Sequence, residues 1–371
     1  MIATRTMRRG LGVAVAASLV TISAAACSSS SKSSTASTTS SAAAAATTSA
    51  AAGTTSSAAA GGSIKKGMTV YFIPKDTQNP YEVLADKGGE AALKELGGKV
   101  VVSSGTADTA AAQIPSIQAA IQAKADAIVI AGNDPSALCP SLGRAVSAGI
   151  KVVSFDSDIT CPNHLFINQA NTEQIGTSEV DLLAKQIGST GQIAILSAAA
   201  SATNQNAWIG YMKKQLTKYP NMKLVSTVYG NDDPAKSLTV LQGLLSAYPN
   251  LKGIISPTTV GISTAAQYLS THKNVKVTLT GLGLPSQMKP YVKDGTVTGF
   301  ELWNPSNLGY LAGYAAASLA SGTTTLKTGA TFTAGKLKSY TMLAPSGTTG
   351  ISVVLGPPTV FNKANIDQFN F

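Results

Sequence analysis

The sequence is short of the residues that carry most enzyme and metal chemistry. Only two histidines occur, His164 and His272, far apart and in no metal-ligand spacing, so no metal centre is expected. There is no Gly-x-x-x-x-Gly-Lys loop, and Gly281-Leu282-Gly283 lacks the third glycine of a dinucleotide motif, so no cofactor is expected. No Gly-x-Ser-x-Gly elbow is present and no Ser-His-Asp set can be assembled. Asp156 and Asp158 stand too close in sequence to flank a glycosidic bond as acid and nucleophile, and the chain does not read as an enzyme. Charged residues make up 12%, and the formal net charge of +10 includes Arg5, Arg8 and Arg9 at the start. The lysines are scattered, with no basic run and no interleaved aromatics, which argues against a nucleic-acid partner.

Long apolar runs are missing too. Residues 11–22 are apolar but too few to span a bilayer. Flanked by the arginines and by Ala24-Ala25-Ala26-Cys27, they read as a secretory signal over residues 1–27 that is removed on export. The cysteine after the small residues resembles a bacterial lipobox, although Ala24 stands where such boxes usually carry leucine. That resemblance implies a lipid on Cys27 and anchorage to the outer face of the cell membrane. Residues 28–63 are almost entirely Ser, Ala, Thr and Gly, too poor in apolar side chains to offset the entropy of ordering, and read as a disordered tether. Two further cysteines, Cys139 and Cys161, are each followed by proline just beyond an apolar strand. In an exported chain they are expected to form a disulfide, closing a loop of about twenty residues and stabilising by roughly 3 kcal/mol in the chain-entropy model.

What is present is a long alternation of strand and helix. Strands are read at residues 69–73, 100–103, 127–131 and 151–155, with helices between them, one carrying Tyr81, Leu84, Gly88, Ala92 and Leu96 at helical spacing and ending at Gly97-Gly98. A second run begins near Leu165, with strands at 192–197, 224–229, 253–256 and 275–280 and a helix carrying Trp208, Met212 and Leu216. A further strand ends at Trp303, an alanine-rich helix covers 308–319, and the tail from 351 reads as a strand plus an irregular end. Short connections make the strands parallel, so the fold class is α/β with two doubly wound parallel-sheet lobes around a cleft. Ligands collect beyond the carboxyl ends of such strands, and Lys-Val-Val-Ser-Phe-Asp-Ser-Asp at 151–158 ends a strand in two carboxylates there. A cleft of amides, hydroxyls, carboxylates and a few aromatics suits a polyol or sugar.

Tyr71-Phe72-Ile73-Pro74-Lys75, Asn79-Pro80-Tyr81, Ala137-Leu138-Cys139-Pro140, Phe155-Asp156-Ser157-Asp158, the run from Ala202 to Trp208, and Ser256-Pro257-Thr258-Thr259 occur in this order. They resemble the type I periplasmic solute-binding proteins of ABC sugar importers, most of all the rhamnose-binding proteins, relatives of the autoinducer-2 receptors. The resemblance implies two lobes joined by a three-strand hinge, the first of residues 64–167 and 304–339 and the second of 168–303 and 340–371. It implies a monosaccharide ligand, a membrane permease as partner, and a monomer. It carries ligand contacts onto Lys75, Asp156, Asn204, Gln205, Pro257 and Thr259, and, from ribose-type relatives, onto Asn79, Tyr81 and the hinge strand end at Trp303. Asn204 departs from the autoinducer-2 receptors, which carry aspartate there, and that favours a simple deoxyhexose. A sensory receptor for a sugar or for an autoinducer-2-like furanose is the alternative.

Each of these residues also has a plainer structural role open to it. Asp156 or Asp158 caps a turn, and Lys75 lies on a surface. Asn204 or Gln205 caps the helix of Trp208, itself a core residue, while the other faces ligand. Tyr81 and Trp303 either pack or wall the cleft, and Pro257 shapes a turn.

Overall fold

A computed structural model of the chain describes residues 62–346 and 348–371. The expected signal 1–27 with its Cys27, and the tether up to residue 61, lie outside the described residues. No helix among the described residues is long and apolar enough to cross a membrane.

The first lobe opens with β1 (Thr69–Ile73), α1 (Pro80–Glu95), β2 (Lys99–Val102), α2 (Ala110–Gln122), β3 (Ala127–Ile130), α3 (Cys139–Ser147), β4 (Lys151–Phe155) and β5 (His164–Asn168). The second contains α4 (Thr172–Ile187), β6 (Gly191–Ser197), α5 (Thr203–Leu216), β7 (Met222–Tyr229), α6 (Pro234–Ala247), β8 (Leu251–Ser256), α7 (Thr259–Thr271), β9 (Thr278–Gly281), α8 (Pro285–Lys293) and β10 (Phe300–Leu302). The chain then returns to the first lobe with α9 (Pro305–Ser321), a hairpin of β11 (Thr331–Thr333) and β12 (Ser339–Thr341), and β13 (Ile351–Val354). It ends beside β10 with β14 (Thr359–Phe361).

The first sheet has the order β13-β5-β4-β3-β1-β2, with every pair parallel. The second, β7-β6-β8-β9, is parallel too and reaches β10 through a bridge between Leu282 and Glu301. Side chains alternate across the first sheet. Val70, Phe72, Val129 and Val153 join the core under α1 and α9, while Ile73, Ile128, Ile130 and Val152 join a separate core with Ile117 and Leu142 of α2 and α3. Helices on both faces explain why β3 is buried along its whole length.

The expected division is corrected at the C-terminus. Residues 340–371 do not all join the second lobe, because β13 pairs with β5 from Ile351 opposite Leu165 to Val354 opposite Asn168. The chain crosses between lobes after β5, after β10, and between β13 and β14. The last crossing is Leu355-Gly356-Pro357-Pro358, where two prolines lack the N–H that would extend the ladder.

Local chemistry sets the ends of these elements. Asn79 caps α1, its side-chain oxygen accepting from the Tyr81 N–H at 3.0 Å, and Pro80 takes the first helical position. Cys139, at the start of α3, is disulfide-bonded to Cys161 in the loop between β4 and β5, as expected. Asp158 holds that same loop. Its Oδ1 accepts from Ser154 Oγ at 2.8 Å and lies 2.8 Å from His164 Nε2, and its Oδ2 accepts from Thr349 Oγ1 at 2.7 Å. It is a buried structural tie, more than a turn cap.

Helices α1 and α9 pack closely because Gly88 and Gly309 face the other helix's backbone. A Cβ at Gly309 would run into the Ala85 carbonyl, and one at Gly88 into that of Ser306. At the crossings, Glu301 of β10 and Glu179 of α4 are both buried. Ser178 Oγ donates to Glu301 at 2.7 Å, whereas neither Glu179 oxygen has a hydrogen-bond partner among the described residues. Burial, opposed by the Ser178 hydrogen bond and reinforced by Asp181, pushes Glu301 up to about 7. Burial and the neighbouring Glu301 push Glu179 well above the usual range.

Two measurements follow. Gly309→Ala is expected to lower stability by about 1–3 kcal/mol through overpacking, while Gly143→Ala in α3, where a Cβ meets open space, is neutral or stabilising by up to about 1 kcal/mol; chemical denaturation of both variants checks this. Between pH 4.5 and about 7 the unfolded chain ionises Glu301 while the folded protein keeps its proton, so stability falls as pH rises through that window. Glu301→Gln is expected to recover about 1–3 kcal/mol at pH above 7 and to change little below 4.5, measured by urea unfolding across the window.

Candidate functional site

Both parallel sheets turn their carboxyl ends toward one cleft. From the first lobe, the turn after β1 delivers Lys75, the first turn of α1 delivers Asn79 and Tyr81, and the end of β4 delivers Asp156. From the second, the start of α5 delivers Asn204 and Gln205, and the turn between β8 and α7 delivers Pro257 and Thr259. Trp303 follows β10 at the second crossing. The structure brings all nine sequence-derived residues around one small cavity.

Asp156 is the centre of it. Its backbone is left-handed, with φ 58°, a conformation that aspartate tolerates better than most residues and that turns its carboxylate away from the strand direction. That carboxylate is 3% exposed and accepts three hydrogen bonds, from Lys75 Nζ at 2.6 Å, Tyr81 Oη at 3.0 Å and Asn204 Nδ2 at 3.1 Å. Asn204 comes from the second lobe, so one carboxylate of the first lobe is held from both sides. Tyr81 Oη in turn accepts from Trp303 Nε1 at 2.7 Å, and the rings of Trp208 and Tyr81 both meet Trp303 edge-on.

Charge follows from this packing. Burial works against the Lys75 ammonium, but Asp156 at contact distance, with Glu82 and Asp108 behind it, more than offsets that and holds its pKa above the usual lysine range. Burial and the same Asp156 push the Tyr81 phenol up, so it stays a neutral donor.

The capping role foreseen for Asn204 or Gln205 goes to neither. Ala202 takes the N-cap position of α5. Asn204 Oδ1 instead accepts from the Gln205 N–H at 2.8 Å, which leaves its NH₂ to face Asp156. Gln205 Oε1 accepts from Ser197 Oγ at 2.7 Å and the Ala198 N–H at 2.8 Å, so what it offers a ligand is its amide NH₂. Asn79 spends its oxygen on capping α1. Lys75 is buried, not a surface lysine.

Several cavity residues escaped the sequence. Glu82, Asp232, Thr258, Leu282 and Leu302 line it, and Trp208 serves as both core and wall. Asp232 carries a signal that could have been used. It lies three residues beyond the carboxyl end of β7, where Asp156 directly follows β4, and it accepts a hydrogen bond from Thr258 at the head of α7. Burial raises its carboxyl, with the Thr258 hydrogen bond and Lys75 opposing. Asp108 nearby is pushed up to about 7 by burial and by Asp232 across the cleft. The surroundings offer hydrogen-bond donors and acceptors, one buried ion pair and apolar walls, an arrangement that can recognise a small polar molecule.

Comparisons with known proteins agree with that geometry. The model of the family described as periplasmic binding protein domain matches residues 70–324. A solute-binding protein of an ABC transporter from Clostridium phytofermentas, solved with bound L-rhamnose, is 38% identical, with 82% of this chain and 98% of that one aligned at a TM-score of 0.79. A sugar ABC transporter structure from Actinomyces odontolyticus is 45% identical, with the same 82% and 98% coverage and a TM-score of 0.65. LsrB from Clostridium saccharobutylicum in complex with AI-2 is 27% identical, covering 82% of this chain and all of that one at a TM-score of 0.77. Matched over most of its described length by that model and by solved relatives that it spans almost end to end, the chain belongs to the periplasmic binding protein domain family, and is a binding protein of the type I fold, not an enzyme.

Proposed function

We propose that the chain is an extracytoplasmic solute-binding lipoprotein of an ABC transporter, capturing a monosaccharide between its lobes and handing it to a membrane permease. The observation that carries this reading is the Asp156 carboxylate, buried in the cleft and held by donors from both lobes. Sugar hydroxyls can replace some of those donors, and Gln205, Thr259 and the Pro257 backbone supply hydrogen bonds from the opposite side. A ligand that touches both lobes has differential affinity for the closed arrangement, and hinge closure follows from that difference. Lipid on Cys27 and a monomeric body complete the proposal.

Rhamnose is the sugar that fits best. A deoxyhexose presents a methyl group and an apolar ring face, and Leu282, Leu302, Trp208 and Trp303 give the cavity an apolar wall. The L-rhamnose complex of the 38% identical relative supports the same sugar. Asn204 in place of aspartate leaves one carboxylate fewer for a furanose signal. The second reading, a receptor reporting a sugar or an autoinducer-2-like furanose to a signalling partner, keeps support from the AI-2 complex of the 27% identical LsrB.

Thermal unfolding in excess L-rhamnose, ribose, galactose, xylose and autoinducer-2 separates the candidates. At a hundred times its dissociation constant the true ligand stabilises by about 2.7 kcal/mol. L-rhamnose is expected to raise the midpoint and Asp156→Asn to abolish the rise; a shift with another sugar alone would overturn the specificity and leave the role intact. Deleting the cognate permease is expected to abolish sugar uptake, whereas a purely sensory receptor predicts unchanged uptake and a lost transcriptional response.

A further inference from the structure

Glu82 sits next to Tyr81 in the first turn of α1, 1% exposed, and lines the same cavity as Lys75, Asp156 and Asn204. Its Oε2 has no hydrogen-bond partner among the described residues. The charges around it are already settled. The Lys75 ammonium is committed to Asp156 at 2.6 Å, and that pair is neutral as a whole. From its own helix Glu82 faces Asp86, from the segment before α2 it faces Asp108, and across the cavity the second lobe presents Asp232. A second anion beside Asp156 would be a buried charge with no cation left to match it, which a protein avoids by keeping the group protonated. Burial, Asp156, Asp86 and Asp108 accordingly push the Glu82 carboxyl well above the usual glutamate range, and only Lys75 opposes them.

A protonated carboxyl is itself a donor. Lys75, Tyr81 and Asn204 each direct one donor at Asp156, whereas the O–H of a neutral Glu82 meets no acceptor among the described residues and is an uncommitted donor. We propose that Glu82 is a specificity-determining residue that meets the ligand as a neutral carboxylic acid, donating its proton in a hydrogen bond to a sugar oxygen, so that capture weakens as pH rises. This rests on the sugar-binding reading above and adds to it a preference for neutral sugars over sugar acids and a proton requirement. Ionised Glu82 both loses the donor and repels the acceptor oxygen. Glu82→Gln keeps a donor of similar shape and cannot ionise.

The proton can be observed without any sugar. In unliganded protein near neutral pH, the infrared difference between wild type and Glu82→Gln is expected to show the carbonyl band of one protonated carboxyl, beside the bands of Glu179 and Glu301 that both proteins share; the absence of a difference would overturn the assignment. Titration calorimetry with L-rhamnose then tests the donor. Above the Glu82 pKa the wild-type dissociation constant should rise by about tenfold per pH unit, as for any ligand that needs one bound proton. Glu82→Gln should bind with a flat pH profile, Glu82→Ala should bind about tenfold more weakly than Glu82→Gln at every pH for want of the donor, and Asp232→Asn should keep the wild-type slope. A slope that persists in Glu82→Gln and vanishes in Asp232→Asn would overturn the proposal. If rhamnose and the other sugars fail to bind while the carboxyl band behaves as stated, the sugar reading falls and the protonated Glu82 stands.

Discussion

Everything in the cleft depends on satisfying the Asp156 carboxylate where water is scarce. Placing a carboxylate and an ammonium out of water costs several kcal/mol per ion, and the mutual attraction of Lys75 and Asp156 repays it only with good geometry and further hydrogen bonds. The 2.6 Å ion pair, Tyr81 and Asn204 supply both. Because Asn204 belongs to the other lobe, satisfying one charge also draws the two lobes together. Trp303, at a crossing, holds Tyr81 in place from the hinge. Charge satisfaction, lobe contact and hinge position are therefore one network.

The same economy explains the other buried acids. Glu179 and Glu301 at the crossings form no ion pair among the described residues, and burial raises both, so near neutrality much of their charge is suppressed. Asp108 and Asp232 face each other across the cleft mouth and are raised partly or mainly by burial. Asp158 goes the other way. Although burial works against it, His164, Thr349 and Ser154 hydrogen-bond its charged form and hold it below the usual range. Whether a buried carboxyl keeps its charge here is decided by how many donors reach it.

Much of the frame was legible in the sequence because its signals are local. The limits of β1 are those read from its apolar run, Gly97 ends the first helix region in a left-handed backbone, and Cys139 and Cys161 pair across adjoining loops. The position of β13 was not legible, since four residues near the end of the chain carry no mark of which sheet they will join, and pairing with β5 is a contact of nearly two hundred residues' separation. Asp156 was found through the rule that strand ends face ligand; Asp232 lies three residues beyond its strand, in an Asn-Asp-Asp-Pro context of the kind that forms ordinary turns. Glu82 stands in a first helical turn, where an acidic residue is favourable on its own, and only the cavity behind it shows that it is buried. The carboxyl-terminal hairpin and α8 lacked a clear period.

The return of α9 and β13 to the first lobe reaches beyond the folded state. A nascent chain emerging from its amino end makes β1 to β5 early, yet the apolar face that α9 covers stays open and the edge of β5 stays unpaired until the entire second lobe has been synthesised. The second lobe, apart from β14, is contiguous and can close first. The half of the molecule made first is thus completed last, and during that interval an uncovered sheet must be shielded from aggregation.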